Sequence, residues 1–142
     1  GLKLTNDQLV ATDANQMFFK YQTDATNSEA FTDYTKWHFV YSIADTDYIS
    51  QLPITVAVNT PYHFKIEVDS DRKAAIFVNG VQYNVTTTAG STGGTAVTTG
   101  TTKTKALTDN IDLIPYVGIE AGAAAAEAVN VHYVACSRNV YE

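Results

Sequence analysis

The stretch that decides the fold is YHFKIEVDSDRKAAIFVNGVQYNV, which occupies residues 62–85. Its first seven residues alternate between apolar and polar side chains, as in a strand with one buried face. Residues 69–72 carry the polar side chains of a turn, and an apolar run follows. Asn79-Gly80 then favours a tight turn, because both residues tolerate positive φ. The stretch therefore predicts three antiparallel strands: 62–68, 74–78 and 81–85.

Further strand-like runs lie on both sides of this meander. Branched and aromatic side chains suit a pleated, half-buried surface. Trp37, Phe39, Tyr41 and Ile43 share one face by the two-residue period, so we expect them to line the core. The runs predict strands over 17–22, 37–43, 54–58, 111–120 and 129–137, the last two central in their sheet. The Ala-rich residues 121–128 predict a compact connection with one helical turn.

The number and spacing of these runs predict the fold class. Seven or eight short strands without a long amphipathic helix favour two packed sheets. A chain of 142 residues has the usual size of one domain with one core. We therefore predict a single all-β domain over 1–142, a two-sheet antiparallel β-sandwich.

A Thr- and Gly-rich tract interrupts the strand pattern at about 86–104. It has almost no large side chain to bury, which is typical of an exposed, mobile loop. Threonine is also a good strand former. The alternative is therefore a long hairpin arm that reaches out to a neighbouring chain.

Charge and composition limit the partners. The net charge of -6 and the pI near 4.9 give no basis for binding nucleic acid or an anionic membrane. No apolar run approaches the roughly 20 residues of a membrane helix, so we expect a soluble domain. Cys136 is the only cysteine, which rules out an internal disulfide. Because it lies in an apolar run, we expect it to be buried.

Three acidic side chains form the best candidate for catalysis. Glu67, Asp69 and Asp71 alternate along the chain, and alternate strand residues face the same way, as an acid and nucleophile pair requires. The predicted turn begins at Asp69, so one strand does not carry all three across a cleft. We therefore expect a solvated turn, and no enzyme.

Other chemistry has weaker signals. Aspartates suit calcium, and the candidates are Asp45, Asp47, Asp69, Asp71, Asp109 and Asp112. The three histidines, His38, His63 and His132, sit singly in strands without the paired spacing of a zinc site. We assign no catalytic, cofactor or metal residues and expect no cofactor, with calcium as the one possibility.

Tyrosines offer a possible sugar-stacking surface, because their rings combine a flat apolar area with a polar tip. The candidates are Tyr34, Tyr48, Tyr83, Tyr116 and Tyr141. Core packing explains them equally well, so we assign no sugar site.

Two segments resemble known families. Residues 62–80 resemble the central hairpin of laminin-G and concanavalin A-like domains, which implies a jelly roll. The acidic run at 67–71 resembles the Glu-x-Asp-x-Glu signature of jelly-roll glycoside hydrolases, with Asp71 in place of the last Glu. Residues 113–122, followed by 129–138, are similar to the C-terminal strands of tailed-bacteriophage virion proteins with this fold. That resemblance implies capsid decoration, a head fibre or a tail-associated component.

Three functions follow from these observations. The leading hypothesis is a non-enzymatic accessory domain on the virion surface that binds virion proteins or copies of itself. The second is a lectin-like, carbohydrate-binding module that attaches to a host surface glycan. The third is a glycoside hydrolase that uses Glu67.

Overall fold

A computed structural model describes residues 1–3, 14–23, 31–90, 92–118 and 130–137. These residues form strands, turns and irregular segments, and none of them forms a helix. No helix in these ranges has the length and hydropathy needed to cross a bilayer. The predicted all-β class is confirmed.

Two sheets make up the domain. The strands are β1 Leu2–Lys3, β2 Gln16–Lys20, β3 Lys36–Ile43, β4 Thr46–Thr55, β5 Phe64–Val68, β6 Ala74–Val78, β7 Val81–Tyr83, β8 Thr95–Ala96 and β9 Ile114–Pro115. The larger sheet has the order β8-β4-β3-β2-β1-β9, and the smaller has the order β5-β6-β7. All pairs are antiparallel except the two-residue pair of β4 with β8, which is parallel. The jelly-roll identity of this arrangement stays a prediction.

The three-stranded sheet is the predicted meander. Asp69 holds its first turn, since one carboxylate oxygen accepts hydrogen bonds from the Asp71 and Lys73 amides at 2.9 Å each. Asn79 and Gly80 form the second turn with φ of 51° and 81°, as predicted from their tolerance of positive φ. The meander is confirmed, although its first and third strands are shorter than predicted.

The main core lies between the two sheets. Phe39 and Tyr41 of β3 are fully buried, and the small sheet contributes Ile76, which is also fully buried, and Val78. Trp37 and Ile43 are partly buried against the same cluster. The predicted aromatic stripe of β3 is therefore confirmed as a core face. Because side chains of both sheets share one cluster, the molecule is a β-sandwich.

The strand predicted at 54–58 is wrong in its position. The strand observed there is β4, which begins at Thr46 and ends at Thr55. It follows β3 through a tight turn in which Ala44 and Asp45 both have positive φ, at 47° and 63°. Neither is glycine, so local sequence does not indicate this turn. Its conformation is held from outside, because the Asp45 amide donates to the Ala14 carbonyl at 3.0 Å.

The Thr- and Gly-rich tract is exposed along most of its length, but it lies against the domain. Asn84 holds it: the Asn84 amide donates to the Thr98 carbonyl at 2.9 Å, and its side-chain oxygen accepts from the Thr102 amide at 3.0 Å. The alternative of an arm that reaches out to a neighbouring chain therefore does not hold for the described residues of the tract. These hydrogen bonds were not predictable from composition, because their partners lie 14 to 18 residues apart.

Both ends of the tract are buried. Thr104 pairs with Ala74 twice: its amide donates to the Ala74 carbonyl at 3.0 Å, and its hydroxyl accepts from the Ala74 amide at 2.8 Å. The Tyr41 hydroxyl donates to the Thr86 carbonyl at 2.8 Å. Burial raises the pKa of that phenol to about 12, so the donor proton stays in place at neutral pH. The tract is thus fastened to the main core.

A second, smaller core lies on the outer face of the large sheet. It contains Phe18, Phe31, Val40 and Ile49. Two loops approach this face, and they are joined by a bridge between Phe31 and Gly93. The Thr32 amide donates to the Gly93 carbonyl at 3.0 Å. Part of the tract therefore covers the large sheet.

The C-terminal predictions are mostly wrong. Of 111–118, only Ile114–Pro115 forms a strand, and it lies at an edge, not at the centre. Residues 130–137 have no regular structure and are exposed throughout. Cys136 is accordingly exposed, not buried. The helical turn predicted at 121–128 lies outside the described residues.

Candidate functional site

In the acidic turn, Glu67 is held in an ion pair and Asp69 in an ion pair and turn hydrogen bonds. Glu67 lies 2.5 Å from the Lys65 ammonium group on the exposed side of β5. One Asp69 oxygen caps the turn, and the other accepts a hydrogen bond from Lys103 at 2.8 Å. The Lys103 ammonium group, followed by the Lys73 amide, lowers the pKa of Asp69. Asp69 is therefore a structural residue of the hairpin.

The calcium candidates fall into separate places. Asp45 and Asp47 lie at the β3–β4 turn, where Asp47 accepts a hydrogen bond from the Ser42 hydroxyl at 2.6 Å. Asp109 pairs with Arg72 at 3.5 Å. Within the described ranges, no three His, Cys, Asp or Glu side chains come together as metal ligands.

The tyrosine candidates are mostly packed. Tyr48 and Tyr83 belong to the main core, and Tyr48 stacks on Tyr41 with ring centres 4.6 Å apart. Tyr34 packs against the outer core, and Tyr116 is half-buried. Tyr141 lies outside the described residues. These tyrosines do not form a common surface.

A different aromatic group lies at one end of the sandwich. The Trp37 ring lies 4.6 Å from Phe64, 5.5 Å from Tyr62 and 5.7 Å from Tyr21. Tyr21 is 40% exposed, and the buried Trp37 indole N–H has no hydrogen-bond partner among the described residues. Sequence periodicity placed Trp37, Tyr62 and Phe64 on core faces but did not predict that they meet.

His38 is the buried titratable group of the outer face. Its ring stacks on Phe31 at 3.9 Å, and its Nδ1 lies 3.1 Å from the Lys36 carbonyl, to which it donates. Its Nε2 is buried and has no hydrogen-bond partner among the described residues. Burial lowers the pKa of this imidazole, an effect that exceeds the opposing influence of the Lys36 carbonyl and Asp33.

This burial predicts an acid-sensitive step in stability. The unfolded imidazole binds a proton near pH 6.5, but the folded one resists it, so stability is complete above that pH and falls on acidification. We expect the free energy of unfolding of the wild type to drop in urea titrations in the pH range just below about 6.5. The pKa of Asp33, held at about 2 by the Thr35 hydroxyl and amide, places that carboxylate's contribution below this window.

The matched variants are His38→Gln and His63→Gln, since His63 is exposed. His38→Gln removes the drop, and His63→Gln retains it. An unchanged slope in His38→Gln would contradict the assignment.

The C-terminal segment, residues 130–137, exposes three large apolar side chains close together in sequence. Val131, Tyr133 and Val134 are 50%, 76% and 58% exposed. No residue of the segment pairs with another described residue through a backbone hydrogen bond. Exposed apolar side chains that lie together are a common feature of interaction surfaces.

A crevice opens where the two sheets come together at one side. Its volume is about 230 Å³, and its lining includes Leu2 of β1 and Val68 of β5. The rest of the lining comes mainly from the segment after the tract: Leu107, Thr108, Ile111 and Leu113. Apolar side chains dominate this lining, with Arg72 and Thr108 as its polar members. Such a crevice suits apolar side chains of a protein segment.

Comparison with protein-family models gave no match, and comparisons with curated proteins and with solved structures also gave none.

Proposed function

We propose that the chain is a non-enzymatic accessory domain at the surface of a bacteriophage virion, where it acts through contacts with virion proteins or copies of itself. The observation that carries the proposal is the exposed apolar segment 130–137. The resemblance of the C-terminal residues to virion proteins supplies the setting: capsid decoration, a head fibre or a tail-associated component. The engagement of Glu67 and Asp69 with lysines supports a role without catalysis.

The exposed side chains explain why association is favourable. Full burial of a side chain such as valine stabilises a complex by about 1.5–3 kcal/mol. Segment 130–137 offers three large apolar side chains that folding leaves open. Exposing these apolar side chains to water is unfavourable, and a partner that covers them removes this unfavourable hydration free energy.

A single charge on this surface tests the proposal. We expect Tyr133→Asp to raise the dissociation constant at least about tenfold, because burying a charge opposes association. Tyr133 is 76% exposed, so the fold tolerates the change. Light scattering over a concentration series measures the loss.

The control is Val58→Asp, which introduces the same charge at a side chain that is 90% exposed in another loop. It leaves association unchanged. Equal effects of the two substitutions would show that net charge, not the segment, controls association.

A lectin-like, carbohydrate-binding module is the second candidate, and the aromatic group around Trp37 favours it. Tyr21 presents a half-open ring at the edge of this group, and sugars stack on flat aromatic rings that carry a polar tip. The Trp37 ring meets Tyr62 and Phe64 edge-on, so the group offers one open ring, not a broad platform. A glycan array with and without calcium tests this candidate, and the absence of binding in both would remove it.

A further inference from the structure

The sheets have four edges, and they differ in how much backbone they leave open. In the large sheet, β8 and β9 are two residues long, and β9 contains Pro115, which has no amide hydrogen to donate. In the small sheet, the chain after β7 lies beside it, with a bridge between Tyr83 and Thr99. The outer edge of β5, Phe64–Val68, is five residues long and pairs with no described residue.

An open edge of this kind is a template for another strand. The side chains of β5 also suit pairing with an added strand. Phe64 and Ile66 face the core, and Val68, at the end of the strand, is 45% exposed beside the crevice. On the other face, Lys65 and Glu67 pair with each other, so this face carries no net charge from them.

Segment 130–137 has a sequence that suits a strand paired with this open β5 edge. Val131, Tyr133 and Ala135 fall on one side by the two-residue period, and Asn130, His132, Val134 and Cys136 fall on the other. The first set is apolar or aromatic throughout and suits the apolar crevice, whereas the second set mixes polar and apolar side chains. The segment lies exposed in the structure and does not pair with the β5 edge of its own chain.

We infer that residues 130–137 of one copy add as a fourth strand to the outer edge of β5 in a second copy. The inference rests on the proposed function and names its partner. Backbone hydrogen bonds supply the pairing, while Val131, Tyr133 and Ala135 supply the specificity. When each copy donates its segment to the other, the exchange closes as a symmetric dimer.

The single cysteine of the chain makes a direct test possible. In this arrangement Cys136 falls on the solvent side of the added strand, the same side as Lys65 and Glu67. Neighbouring strands bring α-carbons within the range of about 4.4–6.8 Å that a disulfide requires. Wild type is mixed under mild oxidation with Lys65→Cys/Cys136→Ser, or with Glu67→Cys/Cys136→Ser.

We expect a covalent heterodimer in at least one of these mixtures, at a yield at least about fivefold above the control. The control is Val81→Cys/Cys136→Ser, which places the thiol on β7, the opposite edge of the same sheet, at a side chain that is 45% exposed. Urea unfolding verifies that each variant is folded.

The outcomes separate the inference from the proposed function. Heterodimers at β5 and not at β7 support both. Association by light scattering without heterodimers at β5 overturns strand addition and leaves the proposed function standing. A monomeric wild type overturns the inference and removes copies of the chain from the proposed partners, which leaves contacts with other virion proteins. A disulfide within one molecule of Lys65→Cys, without a heterodimer in the mixtures, shows that the segment binds its own chain and also overturns the inference.

Discussion

Replacing Phe39 by alanine is expected to lower the free energy of unfolding by about 3–5 kcal/mol, because the variant loses a buried ring and leaves a cavity. The Phe39 side chain is fully buried between the two sheets, with the Phe19 ring at 5.3 Å and the Tyr41 ring at 6.1 Å. A domain of this size has a total stability of about 5–15 kcal/mol, so the variant is close to unfolding. Urea titration measures the loss.

Phe77→Ala is the matched control. Phe77 lies on β6 with its side chain half-buried, and its ring contacts the Lys65 ammonium group at 5.2 Å instead of the core cluster. We expect a loss of about 1 kcal/mol or less, as for substitutions outside the core. Equal losses in the two variants would contradict a core shared by both sheets.

Thr104→Val is expected to destabilise the domain by about 1–3 kcal/mol, because it leaves the buried Ala74 amide without its side-chain acceptor. Valine has nearly the same shape as threonine, so no cavity accompanies the change. The variant also loosens the end of the Thr- and Gly-rich tract. We therefore expect faster proteolytic cleavage within 86–104 than in the wild type.

Thr101→Val provides the control for this variant, since Thr101 is exposed. It leaves stability within about 0.5 kcal/mol of the wild type and cleavage unchanged. Unaltered cleavage in Thr104→Val would contradict the view that Thr104 fastens the tract to the core.

The meander and the aromatic face of β3 were predictable because their signals are local. Alternation marks the faces of β3, and Asn79-Gly80 marks a turn through its own backbone preferences. The start of β4 was not predictable in this way. Its turn uses Ala44 and Asp45 at positive φ, and a hydrogen bond to Ala14 holds it from outside.

The tract and the C-terminal residues failed for a different reason. Composition described the tract as open, but Asn84 and Thr104 bind it to distant strands. The strand character of 129–137 is real in sequence, yet residues 130–137 have no partner strand among the described residues. Strand propensity indicates that a segment suits a sheet, and it does not indicate which sheet or which chain supplies the neighbour.

The candidate site was even less accessible to sequence reasoning. The carboxylates of Glu67, Asp69 and Asp71 were identified as a group, but the lysine partners of Glu67 and Asp69 were not. Lys103 lies 34 residues from Asp69. The crevice between Leu2 and Val68 depends on how the two sheets meet, so no single stretch of sequence predicts it.

The molar mass of the unmodified chain, measured by light scattering at increasing concentration, tests the central claim of association most directly. One chain has a mass of 15.4 kDa. The account predicts a mass that rises with concentration to at least twice that value. A mass that stays at that of one chain over the whole series would contradict it.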